Sequence, residues 1–184
     1  GILKGISDDL KETIEVLYEL RGALNPDVTI EHNLARSLAR RMKNSLPIIW
    51  GTEGMTETAA FRWKAQINEN AESPAFFAVL PELNHNEIVG FGTPEQLIQQ
   101  FFIIVLRDAF DHPRVQRRIE ITSEMLKGRV MDLVEIGSRG KSWLARFYSL
   151  VYTGDYASTY LALEYGLDPI DIKAIDYLKN TLAK

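Results

Sequence analysis

Apolar residues along this chain repeat with two different periods. Leu10, Ile14, Leu17 and Leu20 fall three or four apart, the spacing of one helix face, and predict a helix over 6–24. Ser7-Asp8-Asp9 reads as its N-cap and acidic first turn, and Asn25-Pro26 stops it. Leu34, Leu38 and Met42 predict a second helix over 30–43. The period then changes. Leu46 to Trp50, Ala75 to Leu80, Phe101 to Leu106 and Val130 to Ile136 are short, almost unbroken apolar runs, and each is followed by a helical stretch: 56–70, short helices after Leu80, 112–127, and 141–165. A last helix is expected over 169–182.

Strands without a polar face, alternating with helices, predict a parallel sheet covered on both sides. The fold class is therefore α/β, a three-layer α/β/α sandwich with a mainly parallel sheet of four or five strands. Ile48, Phe77, Ile104 and Leu133 are expected in its core. Open sheets of this kind bind ligands beyond the carboxyl ends of their strands. That points to the loops 51–55, 81–92, 107–113 and 137–141.

Composition narrows the function classes. The 184 residues suit one domain, and 46% hydrophobic with 25% charged residues is ordinary for a globular chain. A net charge of -4 offers no general attraction to nucleic acid or an anionic membrane, so neither partner is expected. No apolar run approaches the ~20 residues of a membrane helix, and Gly1 to Gly5 lacks the build of a signal peptide. The absence of cysteine excludes disulfides and thiolate chemistry and fits a cytoplasmic location. The chain lacks an initiator Met and is expected to be a piece of a longer protein.

Two polar clusters border the strands. Arg62-Trp63-Lys64 leads to Asn68-Glu69-Asn70, a carboxylate between two amides at a helix end. The plain reading is a solvated helix terminus. Pro81-Glu82-Leu83-Asn84-His85-Asn86-Glu87 sets a histidine in a loop after a strand. Imidazole titrates near neutrality and suits acid/base work; the plain reading is a loop histidine bonded to backbone. Glu69, Glu82 and Glu87 surround one histidine, but no metal-ligand spacing joins them, and no metal is expected. Ser138-Arg139-Gly140-Lys141-Ser142 looks like the tail of a P-loop, yet Glu135 stands where that motif needs glycine. The segment still sets backbone N–H groups and positive charge at a helix start.

These blocks resemble the bifunctional phosphoglucose/phosphomannose isomerases. Arg62-Trp63-Lys64 through Asn68-Glu69-Asn70-Ala71, the E-L-N-H-N-E block at Glu82–Glu87, Gly154 to Ala162, and Asp168-Pro169 through Leu178-Lys179 carry the resemblance over nearly the whole chain. It implies a sugar-isomerase (SIS) fold and places residues 1–184 as a C-terminal SIS domain. An N-terminal SIS domain of the same chain and a second copy, in a homodimer, are the implied partners. The implied reaction interconverts glucose 6-phosphate or mannose 6-phosphate with fructose 6-phosphate, without metal or organic cofactor.

By the same resemblance Glu69 is the base that moves a proton between C2 and C1. His85 opens the sugar ring, reaching the site from the neighbouring subunit. Lys179, or alternatively Lys173, is the lysine near the substrate. Arg62 and Asn84 are the candidate substrate-binding residues. Two departures stand out: no S-x-S-G-x-T phosphate loop occurs here, and Glu72 follows N-E-N-A where the family tends to have a basic residue. The competing reading is a non-catalytic SIS domain that senses a sugar phosphate or serves assembly.

Overall fold

A computed structural model describes residues 6–183. In chain order the elements are α1 (Ile6–Leu24), α2 (Leu34–Met42), β1 (Leu46–Thr52), α3 (Met55–Asn70), β2 (Phe76–Leu80), a 3₁₀ turn (Glu82–Asn84), α4 (Glu87–Gly90), α5 (Glu95–Ile98), β3 (Phe101–Arg107), α6 (Pro113–Leu126), β4 (Asp132–Gly137), α7 (Trp143–Tyr165) and α8 (Lys173–Leu182). The four strands form one parallel sheet in the order β2-β1-β3-β4.

Both faces of the sheet are covered, so each needs its own apolar set. Ile49, Phe102, Ile104, Leu106 and Ile136 pack with α1, α2, α3 and α7. Trp50, Ala78, Leu80, Ile103 and Val105 pack beneath the 3₁₀ turn, α5 and α6. The two sets alternate along each strand, as a pleated strand requires.

Several expectations shift. Of the four predicted core residues, Ile104 is fully buried. Ile48 and Leu133 are half-buried, and Phe77 is 36% exposed. Phe77 and Leu133 sit on β2 and β4, the two edge strands, where the covering helices do not reach far enough. Phe61 of α3 meets Phe77 edge-to-face at 5.5 Å and is itself exposed. Ser7 lies inside α1 and does not precede it. The second helix starts four residues later than expected, because Asn33 caps it by accepting from Arg36 N at 3.1 Å, and residues 29–32, His32 included, form a turn. Likewise α8 starts at Lys173, where Asp171 Oδ1 accepts from the Lys173 N–H at 3.1 Å.

The N-terminus of α7 answers the P-loop-like segment. The N–H groups of Lys141 and Ser142 donate to the Glu12 carboxylate of α1, at 2.6 and 2.9 Å, and Arg139 N donates to Ser149 Oγ at 2.8 Å. The donors that the sequence offers to an anion are thus taken by an internal carboxylate. Those bonds hold the Glu12 carboxyl below its ordinary range. A carboxyl lowered by folding stabilises the fold above its unfolded value, and that stability is lost as pH falls through the folded value. Glu12→Gln should therefore flatten the acid-side loss of stability. Thermal melts of both proteins from neutral pH down to about pH 3 would show it; identical acid slopes would rule the cap out.

Candidate active site

Glu69 is held by its neighbours. On one side the Asn68 amide donates to Ser73 O at 2.8 Å; on the other the Asn70 amide donates to Ser158 Oγ of α7 at 2.9 Å. Further up α3, the Trp63 indole N–H donates to Leu150 O at 2.8 Å, and Arg62 Nη2 lies 3.5 Å from Asp155 Oδ1. Both partners are on α7. Four residues of the Arg62–Asn70 stretch thus fix the end of α3, and Glu69 is left exposed. The plain reading of a solvated helix end does not describe the asparagines, whose amides are committed.

Glu69 opens onto a cavity of about 640 Å³. Its lining runs from Asn68 to Pro74 on one side and from Leu167 to Ile175 on the other, including Glu72, Asp168, Asp171 and Lys173. Lys173 is the one lysine or arginine among those lining residues. Its ammonium contacts the Asp171 carboxylate, and that contact raises the lysine and lowers the aspartate from their ordinary values. Glu72 is in the left-handed region at φ 48, an uncommon conformation for a non-glycine residue. Lys179 lies six residues beyond Lys173, exposed, and off this cavity.

The cavity is at the amino ends of the strands. Helix α3 leaves β1 at its carboxyl end and runs back, so Glu69 stands where the chain turns into β2. The carboxyl-end rule therefore misses Glu69. That end holds a smaller cavity of about 340 Å³ between the 107–109 and 137–138 segments. There Asp108 accepts from Ser138 Oγ at 2.9 Å and pairs with Arg146 at 3.0 Å. Burial raises the nearby Asp111 carboxyl.

His85 follows β2 and caps the 3₁₀ turn, exposed. Leu83 of that turn packs on the sheet face opposite to α3. The sheet therefore stands between His85 and Glu69, and His85 does not line the Glu69 cavity. Asn84 is turned inward, its amide donating to Thr122 Oγ1 of α6 at 2.7 Å. Arg62 is engaged by Asp155, whose carboxyl is raised by burial against the opposing pull of that guanidinium. Glu82 accepts from Asn86 at 3.2 Å and does not line the Glu69 cavity. Among the described residues no three acidic or histidine side chains gather in a metal-binding group, and no helix is long and apolar enough to cross a membrane.

Residues 31–182 match the family described as the bacterial phospho-glucose isomerase C-terminal SIS domain. The chain belongs to that family. Over its whole length this SIS domain is 48% identical to the bifunctional phosphoglucose/phosphomannose isomerase of Caldicellulosiruptor bescii, of which it covers 54%. It is 35% identical over 182 residues to the protein of the same name from Aquifex aeolicus, covering 99% of this chain and 52% of the relative. The SIS domain thus spans about half the length of the curated relatives it matches. Its fold is like that of a glucose-6-phosphate isomerase like protein from Thermus thermophilus, with a TM-score of 0.78 and 24% identity over 93% of this chain and 57% of that one.

Asp171 lies within the 168–179 block but is not among the site candidates of the sequence, and Glu72 stands out there only as a departure; their place beside Glu69 comes from the fold around the cavity.

Proposed function

We propose that this SIS domain supplies the proton-transfer half of an aldose–ketose isomerase for hexose 6-phosphates, interconverting glucose 6-phosphate or mannose 6-phosphate with fructose 6-phosphate. The observation that carries the reading is Glu69, a carboxylate with locked neighbours on an open cavity, in a chain of this family. Removing a proton α to a carbonyl needs a base held over one carbon, and rigid placement supplies much of the rate. Glu69 takes the proton from C2 of the open-chain sugar and returns it to C1. A lysine, Lys173 or Lys179, stabilises the enediolate between these steps.

The site is completed from outside this chain. His85, the ring-opening residue by resemblance, serves the Glu69 of a second copy in a dimer; its absence from the Glu69 cavity of its own chain supports this reading. Phosphate binding falls to an N-terminal SIS domain in the same polypeptide, since this chain lacks the phosphate loop and the Glu69 cavity is rich in carboxylates. Arg62 and Asn84, which are engaged by Asp155 and Thr122, act by positioning their elements. The reaction is placed in the cytoplasm and uses no metal or organic cofactor.

The test is a coupled isomerase assay on two proteins: this chain alone, and this chain fused behind the N-terminal portion of the Caldicellulosiruptor bescii relative. Remote phosphate binding helps drive chemistry at the carbon skeleton, so the chain alone should show little turnover and the fusion measurable turnover. In the fusion, His85→Ala should cost less with open-chain than with ring-closed substrate. A folded fusion that binds sugar phosphate without turnover would instead establish a sensing or assembly domain.

A further inference from the structure

Helix α8 stands apart from every other long helix of the described chain: none of its residues is buried. It is nevertheless strongly two-sided. Ile175, Leu178 and Leu182 fall at spacings of three and four and share one face, and they are 39%, 58% and 78% exposed. Ile172, just before the helix, and Ile175 line the Glu69 cavity. A ten-residue helix cannot hold itself in water, because isolated helices below about 12–15 residues are marginal even with favourable sequences. Such helices persist by burying an apolar face.

The stripe leads to the active site. At 100° per residue, Lys179 projects about 40° from Ile175, on the flank of the stripe, while Lys173 projects about 160° from it. Whatever covers the stripe therefore sets Lys179 at its rim and fixes α8 against the cavity that Glu69 and Lys173 line. The curated relatives are about twice as long as this chain, so a second body of similar size accompanies the matched half in each.

We propose that the Ile175–Leu178–Leu182 face of α8 is the docking surface for that other half, the N-terminal domain of the same polypeptide. Docking orders α8. The docking rests on the two-domain reading above, but not on the isomerase chemistry.

Hydrogen–deuterium exchange tests it on this chain alone and on the fusion with the N-terminal portion of the Caldicellulosiruptor bescii relative. In the chain alone the amides of Lys173–Leu182 should exchange nearly as fast as unstructured peptide. In the fusion they should slow by at least about tenfold, and Leu178→Asp should abolish the slowing while α3 and α7 stay protected. Equal exchange in both proteins would overturn the proposal. So would protection in the chain alone that rises with its concentration, because the cover would then be a second copy. Turnover in the fusion without α8 protection would refute the docking and keep the isomerase; protection without turnover would do the reverse.

Discussion

In the assembled two-domain protein, Glu69→Gln should lower kcat by about 10²–10⁴-fold, the usual worth of general-base catalysis, and leave KM nearly unchanged. Glutamine keeps the length of the side chain and its fit at the cavity, but it cannot take the C2 proton. Stability should stay the same. Glu69 is exposed and makes no ion pair among the described residues, while the helix end is held by Asn68, Asn70 and Trp63. The informative contrast is Asn70→Ala, which breaks the bond to Ser158 and should cost both stability and rate. Steady-state kinetics beside thermal melts separate the two. A fully folded Glu69→Gln enzyme with near-normal turnover would remove Glu69 from the chemistry, leaving Glu87 and Glu82 as the next carboxylates to examine.

Trp63→Ala should be among the most destabilising single changes in this chain, at about 3–5 kcal/mol. Its indole is fully buried between α3 and α7 and donates to Leu150 O at 2.8 Å. Domains of this kind are stable by only about 5–15 kcal/mol, so the loss is a large share of the whole. Gly154 is the other half of the same contact. A Cβ there would come within 2.5 Å of the Trp63 ring, which real contacts do not allow. Gly154→Ala should cost about 1–3 kcal/mol through overpacking. The two changes should not add. With Trp63 already reduced to alanine, the methyl of Gly154→Ala has room, and its cost should nearly vanish. Urea titrations of the two single mutants and the double mutant measure this coupling. Strict additivity would mean that the helices separate freely instead of packing rigidly.

Arg62-Trp63 and Gly154-Asp155 belong to two separate blocks of the sequence, yet they meet pairwise, Trp63 against Gly154 and Arg62 against Asp155. Within these two blocks, Arg62, Trp63 and Asn70 of α3 contact Asp155, Gly154 and Ser158 of α7 and so join the two helices. At the end of that joint Asn68 and Asn70 are hydrogen-bonded to Ser73 and Ser158, and Glu69 is exposed beside the cavity.

The sequence by itself determined the order and type of the main elements, the parallel sheet and the family. Strand runs and helical stripes are local patterns, and burial on both faces leaves an unmistakable apolar run in β3. It also offered Glu69 and His85 as candidates, since a motif of six or seven residues survives without any three-dimensional information. Tertiary structure decided the rest. Edge position exposed Phe77, which periodicity alone placed in the core, because covering helices are narrower than the sheet. The side-chain cap of Asn33 set the start of α2 at Leu34, the first residue of its apolar stripe and four residues after the expected start. Direction of travel put Glu69 at the amino end of the sheet, since a helix that leaves one strand must run back before the next. That path, with the sheet as a wall, separates Glu69 from His85. Two residues sixteen apart in sequence therefore do not line one cavity of this chain, and the physical reason is that Leu83 beside His85 packs on the sheet face opposite to α3.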